Sequence, residues 1–259
     1  MTVGDSTRPL TRRTSVVIPV YNEERRLPST LDRVLSFVGE DSEITEVIVV
    51  DDGSLDGSRE LAAGFAARDR RVRVVAYEPN RGKGYAIRRG VMAAVSDAIL
   101  LCDADLSTPI EELDRIAPLL SRFDVVIGSR AIDESKVALR QPWYRQFMGK
   151  TFNFLMRWIT GLSFRDTQCG FKLLRRDAAQ RIFAAARVDR FAFDVEMLML
   201  GLREGFTIRE EPVEWRNSPD SRVRIVQDSA RMLVDIARMR FRIGHPSSGR
   251  RRESEQGNS

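Results

Sequence analysis

Histidine is almost missing from this 259-residue chain: His245 stands alone, close to a polar C-terminal tail. A Ser-His-Asp triad or a histidine general base is therefore excluded as the working chemistry. Cysteine is nearly as scarce. Cys102 and Cys169 form no C-x-x-C pair and no Cys/His cluster, which argues against a zinc site or a disulfide scaffold and fits a reducing compartment. No uncharged apolar run reaches the roughly 18 to 20 residues of a membrane-spanning helix. The N-terminal stretch "MTVGDSTRPLTRRT" has no apolar core, so no secretory signal is expected. No G-x-G-x-x-G follows the first apolar run, there is no Walker G-x-x-x-x-G-K-[ST], and "RGKG" (81–84) is too short to be a P-loop. A Rossmann dehydrogenase and a P-loop enzyme both lose ground.

What is present is the composition of a folded chain, 42% hydrophobic and 31% charged, with a net charge of +5 and pI near 9.6. The length fits one large domain, or one domain with appendages. The basic balance admits nucleic acid, anionic lipid headgroups and phosphorylated substrates as partners, and charge alone does not choose among them.

Residues 1–13 read as a flexible arm. From residue 14 onward, β-branched runs alternate with segments of helical spacing: "TSVVIPVYNEE", then a helix with Leu27, Leu31, Val34, Leu35 and Val38; "EVIVVDDGSLDGS", then "RELAAGFAARD"; "VRVVAYE", then a glycine-rich turn and helix in "NRGKGYAIRRGVMAAVS"; and "AILLCDADLSTP", a helix, and "FDVVIGSR". This alternation predicts an α/β fold with a mostly parallel central sheet and flanking helices. Such sheets bind ligands at the carboxyl ends of their strands. Tyr21-Asn22-Glu23, Asp51-Asp52, Asp103 with Asp105, and Ser129-Arg130 all fall there.

Asp103 and Asp105 pose the sharpest question, because two like charges one residue apart after an apolar strand repel each other. A polar turn and a divalent-metal site are both consistent with that stretch taken alone. The second half changes character. Residues 141–161 place two tryptophans and three phenylalanines on half of a helical circumference, with Lys150 and Arg157 opposite. Both a core helix and a helix in the membrane interface fit that pattern. Residues 225–244 carry a related stripe, with Arg231, Arg238 and Arg242 on one face and Leu233, Val234, Ala237 and Phe241 on another. Residues 245–259 read as disordered.

In order, "VVIPVYNEE", "VIVVDDGSLDGS", "NRGKGYAIRRG", "DADLSTP", "VIGSRA" and "RDTQCGFKLLRR" resemble family-two glycosyltransferases of the GT-A fold. Within that family the likeness is to polyprenyl-phosphate sugar synthases, especially dolichyl-phosphate glucosyltransferases, and it spans a catalytic domain over 14–224. The resemblance implies a nucleotide-sugar donor, a divalent cation (Mg²⁺ or Mn²⁺), a polyprenyl phosphate acceptor and inversion at the anomeric carbon. UDP-glucose or a UDP-N-acetylhexosamine is the implied donor. A soluble or polysaccharide acceptor, and GDP-mannose as donor, are the alternatives. No transmembrane pair of the kind many relatives carry is visible. Contact with the inner face of a membrane is therefore expected from the amphipathic helices or from a small anchoring subunit. Nucleic acid is not an expected partner, because acids rather than bases gather at the strand ends.

The resemblance also implies roles. Asp105 takes the metal, and Asp103 the metal or the ribose, with Ala104 between them against the donor. Pro19, Tyr21 and Glu23 line the base and ribose pocket, Asp52 accepts from the base edge, and Lys83 reaches the nucleotide or a phosphate. Arg130 grips the pyrophosphate or the acceptor phosphate, and Arg216, ahead of Arg222 and Arg224, binds acceptor phosphate. Asp166 aligns with the family's catalytic base. A phosphomonoester whose second pKa lies near 6 needs little deprotonation, however. That leaves Asp166 the alternative of orienting Arg165, Gln168 or sugar hydroxyls. Asp194 and Glu196 form a second acidic pair, with ion pairing to arginines as their alternative role.

Overall fold

The computed structural model describes residues 13–37, 44–132, 156–216 and 225–244. The arm over 1–12, most of the 141–161 stripe, Arg222, Arg224, His245 and the tail over 245–259 lie outside the described residues. Seven strands form one sheet: β1 (Thr14–Val20), β2 (Ile44–Asp52), β3 (Val72–Tyr77), β4 (Ala98–Leu101), β5 (Val125–Ser129), β6 (Lys172–Arg175) and β7 (Ile208–Pro212), in the order β3-β2-β1-β4-β6-β5-β7. All pairings are parallel except those of β6, which runs antiparallel to both β4 and β5. The helices are α1 (Leu27–Phe37), α2 (Ser58–Arg68), α3 (Lys83–Ala93), α4 (Glu112–Ile116) continuing as a 3₁₀ turn (Ala117–Ser121), α5 (Arg176–Ala185), α6 (Phe193–Arg203) and α7 (Ile225–Ile243).

The apolar runs of the strands are long because the sheet is covered on both faces. Alternate residues divide between two cores. Val17, Ile48, Val50, Ile99, Leu101, Val125 and Ile127 pack with α3, α5, α6 and α7. Val16, Ile18, Val47, Val49, Leu100 and Val126 pack with α1 and α4 on the other side. That is the period-2 pattern of a strand buried twice.

Strand order decides where a site forms. The chain moves outward from β1 to β2 and β3, then returns to place β4 on the other side of β1. The crevice beyond the carboxyl ends of β1 and β4 is therefore the topological switch point, where open α/β sheets bind ligands. The antiparallel β6, which the alternating pattern does not predict, adds to it. Running against β4 and β5, it starts at their carboxyl ends and delivers the preceding segment, 165–171, to the same crevice.

Lys172, the first residue of β6, is fully buried between Leu101 and Ile127. Its Nζ lies 2.6 Å from Asp194 Oδ1 on α6 and also donates to the Cys169 carbonyl. Asp194 thus pairs with a lysine rather than an arginine. Glu196 is also buried, and pairs with Arg242 of α7 while accepting from the backbone N–H groups of Arg187 and Val188. Lys172→Met would strand the Asp194 carboxyl in a dry environment. A loss of about 3 kcal/mol is expected, read as a fall in Tm of roughly 6 to 12 °C. An unchanged Tm would remove the pair from the list of structural supports.

Helix α7 buries one apolar set and exposes another. Met232, Ile236, Met239 and Ile243 enter the core, whereas Val234 is 51% and Phe241 91% exposed. The stripe that includes Val234 and Phe241 therefore faces outward beside Arg238. In the helical turn over 156–160, Met156 is buried and Trp158 is 78% exposed, so Trp158 is not a core residue. Among the described residues no helix is long and apolar enough to cross a membrane.

Candidate active site

After Leu101 the backbone leaves β4 through Cys102 and turns at Asp103, Ala104, Asp105 and Leu106. Leu106 adopts a φ of 45°, and the Asp105 Oδ1 accepts the Ser107 N–H at 2.9 Å. The turn is braced from below, where Thr30 Oγ1 of α1 donates to the Ala104 carbonyl at 2.6 Å. It is braced from the side by Gly170, because a Cβ at that position would fall 2.0 Å from Asp103 Oδ2. Gly170 lies in the segment that leads into β6, and no larger residue fits there without displacing Asp103.

Lys83 opens α3, and its Nζ is 2.5 Å from Asp103 Oδ1. Desolvation disfavours the ammonium, but Asp103, then Asp194 and Asp105, outweigh it and hold the Lys83 pKa above its ordinary value. Desolvation likewise works against the Asp103 carboxylate, and Lys83 overcomes it, keeping that pKa below the usual range. Lys83 is held in place by its turn. Gly82, at φ 110°, sits so close to the next layer that a Cβ would lie 2.6 Å from the Asp189 carbonyl. The Asp52 carboxylate collects the N–H groups of Arg81 and Gly82, each at 2.8 Å, and Asn80 Nδ2 at 2.8 Å. Asp52, at the end of β2, is 3% exposed. Its carboxylate shapes the turn that carries Lys83, and a base-edge contact has to compete with these three donors. Asp51 beside it is taken by Arg59 Nε at 2.9 Å and by the Ser54 N–H.

Arg130 follows β5 and meets Asp166 in a two-pronged pair, Nε–Oδ2 at 2.6 Å and Nη2–Oδ1 at 2.9 Å. The backbone N–H groups of Arg130 and Gln168 donate to the same carboxylate. Burial pushes the Asp166 carboxyl up, but Arg130 outweighs it and the pKa settles at about 2. A general base for neutral pH needs a pKa near that pH. A carboxylate already saturated by a guanidinium is poorly suited to take a proton. Its side-chain partner in the structure is Arg130, and of the residues considered from the sequence Gln168 meets it through its backbone N–H. A carboxyl held below its unfolded value of about 3.8 adds stability above that pH, which is lost as pH falls through about 2. Asp166→Asn should therefore flatten the stability curve between roughly pH 4 and pH 2. In activity, the rising limb near pH 6 expected of the acceptor phosphate that the resemblance implies should stay in place in Asp166→Asn, with only the plateau lowered. Disappearance of that limb in the variant would restore the base.

The remaining expected residues lie at or just beyond the carboxyl ends of β1 and β7. Pro19 is in β1, paired in register with Val50. Tyr21 is 40% exposed just beyond it. The Glu23 backbone N–H donates to Ser58 Oγ at 2.8 Å, its carboxylate lies beside Arg26, and its carbonyl accepts the N–H groups of Arg26 and Leu27, where α1 begins. Arg216 is pinned by its own N–H to the Ser107 carbonyl at 2.7 Å, while its exposed guanidinium pairs with Glu214. It is thus fixed two residues from Asp105. Gly170, Lys172 and Thr30 are the supporting residues that sequence reasoning missed. Only Gly170 and Lys172 carried a signal, as parts of "RDTQCGFKLLRR".

Among the described residues no group of three or more His, Cys, Asp or Glu side chains is placed to hold a metal ion by itself. Asp103 and Asp105 offer oxygen donors from a single turn, a set that suits Mg²⁺ or Mn²⁺ completed by phosphate oxygens and water.

The model of glycosyl transferase family 2 matches residues 15–183. The chain is 36% identical to dolichyl-phosphate beta-glucosyltransferase of Mus musculus over 246 residues, covering 90% of this chain and 76% of the mouse chain. The enzyme of the same name from Dictyostelium discoideum is 33% identical over 241 residues, covering 88% and 74%. Glucosyl-3-phosphoglycerate synthase from Mycobacterium tuberculosis, solved with uridine diphosphate, has the same fold, with a TM-score of 0.65 at 21% identity over 96% of this chain and 88% of that one. A structure of that enzyme with Mn²⁺ and UDP-glucose gives a TM-score of 0.64 at 22% identity, over 96% and 87%. With its acid turn and arginine pair at the switch point of a GT-A sheet, the chain belongs to glycosyltransferase family 2 and is a glycosyltransferase.

Proposed function

We propose that the chain transfers glucose from UDP-glucose to the phosphate of a polyprenyl phosphate of the dolichyl type, with inversion, at the surface of a membrane. The observation that carries this reading is the alternation of charge along the crevice: Asp105, Asp103 with Lys83, and Arg130 with Asp166. A donor diphosphate and an acceptor phosphate bring several negative charges together, and cations must meet them. The beta-glucosyl names of the relatives support glucose and a lipid phosphate acceptor. An α-linked donor then requires inversion.

Asp103 and Asp105 would hold Mg²⁺ or Mn²⁺, which when bound supplies charge neutralisation at the leaving diphosphate. Lys83 stands where its ammonium can turn from Asp103 to a phosphate oxygen. Pro19, Tyr21 and Glu23 border the space for base and ribose, and Asp52 fixes the turn beneath it. Arg130, oriented by Asp166, presents its remaining N–H groups to the acceptor phosphate, and Arg216 adds charge from the rim. An oxygen of the ionised acceptor bonds to C1 of the sugar while the bond from C1 to the diphosphate oxygen breaks, and UDP departs with the electron pair. No proton has to be removed. A lipid-linked sugar made this way would serve envelope glycosylation, with membrane contact through α7 and the 141–161 segment or through an anchoring subunit.

The test is transfer of labelled sugar by the purified chain, with UDP-glucose, UDP-N-acetylglucosamine and GDP-mannose offered in turn. Polyprenyl phosphate and a small phosphorylated acceptor are supplied in parallel. Label from UDP-glucose should enter the organic phase only when polyprenyl phosphate is present. Transfer to the small acceptor alone would replace this reading with a soluble-acceptor enzyme, and preference for GDP-mannose would change the donor.

A further inference from the structure

Behind the turn that carries Lys83 lies a second basic region, outside the crevice. A cavity of about 300 Å³ opens between the loop joining α5 to α6 and helix α7, lined by Arg187, Arg190, Arg238 and Arg242 with Asp189 and Asp235. The acids do not balance the arginines. Asp189 points away to Arg88 at 2.7 Å and Arg81 at 3.2 Å, and is already neutralised. Arg242 is held by Glu196. Among the described residues Arg187, Arg190 and Arg238 make no ion pair, and Asp235 is the one acid without a partner that faces them.

Like charges are gathered here at a cost. Burial and then the nearby Arg187 push the Arg242 pKa below its ordinary value. Exposed cations gathered around one concavity are what an anion with several acceptor oxygens satisfies. The cavity is also wired to the transfer site. The Arg187 and Val188 N–H groups rest on Glu196, the Asp189 carbonyl accepts the Tyr85 N–H at 3.1 Å, and its backbone abuts Gly82. Val234 and Phe241 flank Arg238 on the outward face of α7, so a phosphate presented on an apolar surface can reach it as readily as a free one.

We propose that this cavity is a phosphate-binding site, in which Arg187, Arg190 and Arg238 take a phosphate group from a free phosphate ion or a lipid headgroup. It is distinct from the site of sugar transfer.

The test uses the full chain at constant ionic strength. Inorganic phosphate is titrated in one arm, and vesicles of phosphatidylglycerol, with phosphatidylcholine as the neutral reference, in the other. The double variant Arg190→Gln, Arg238→Gln is compared with Arg70→Gln, Arg89→Gln, which removes the same charge from exposed positions outside the cavity. All four side chains are exposed, so the melting temperature should stay near that of the parent. Binding of the parent should weaken about tenfold or more in the cavity variant and remain nearly unchanged in the control. Weakening in both arms assigns any accessible phosphate, and weakening only with phosphatidylglycerol assigns the headgroup. Equal loss in both variants, an unaffected cavity variant, or no binding by the parent to either probe overturns the proposal. UDP binding in the cavity variant should match the parent, which separates this site from the proposed transfer reaction.

Discussion

Asp105→Asn is expected to lower kcat about 10³-fold or more with the fold intact, measured at saturating Mn²⁺ and checked by circular dichroism. The reason lies in how the two acids of the turn are used. Asp103 already shares its charge with Lys83 at 2.5 Å, whereas among the described residues Asp105 has no cationic partner within ion-pair distance. Among the described residues it accepts one hydrogen bond, from the Ser107 N–H to Oδ1, which survives in asparagine. The substitution therefore removes the uncompensated carboxylate and almost nothing else. Asp103→Asn should cost less, because it frees Lys83 at the same time as it removes a ligand. Activity of Asp105→Asn within tenfold of the parent would place the diphosphate elsewhere.

The second large effect is expected at Arg130. Arg130→Gln removes the guanidinium from the crevice and leaves the Asp166 carboxylate, 6% exposed, without its counter-ion. Transfer should fall by roughly 10² to 10³-fold, with the larger part in kcat/KM for the acceptor, and stability should fall with it. Arg130→Lys separates the two functions. A lysine keeps the charge but cannot make the two-pronged contact, so it should restore stability more than activity. Equal rescue of both would reduce Arg130 to a structural partner of Asp166. An effect confined to the donor KM would move it to the diphosphate.

Much of this arrangement was legible in the sequence. Strand ends were marked where a β-branched run met Asp51-Asp52, Asp103 or Ser129-Arg130, because period-2 burial on both faces leaves a continuous apolar run with a sharp edge. The parallel half of the sheet followed from alternation with helices. Strand β6 was not legible, since "KLLR" is four residues long and its lysine reads as surface. Only the tertiary pairing with Asp194 makes Lys172 a core residue. Which carboxylate is free and which is spent was equally hidden. Asp52, Asp103, Asp105 and Asp166 look alike in one dimension, yet Asp52 closes a turn, Asp166 grips an arginine and Asp103 faces a lysine. Such differences come from residues 20 to 36 positions away, which no local pattern records. The faces of α7 were half legible: the stripe with Leu233, Val234, Ala237 and Phe241 was marked, but Met232, Ile236, Met239 and Ile243, which fill the core, were not.

Calorimetric titration of UDP into the purified chain, first with Mn²⁺ and then with EDTA, is the most direct measurement of whether the Asp103–Asp105 turn joins a cation to a diphosphate. Binding that weakens about 100-fold in EDTA, and by a similar factor in Asp105→Asn with Mn²⁺ present, is the predicted result. UDP affinity indifferent to both the chelator and the substitution would contradict a metal–diphosphate site at this turn.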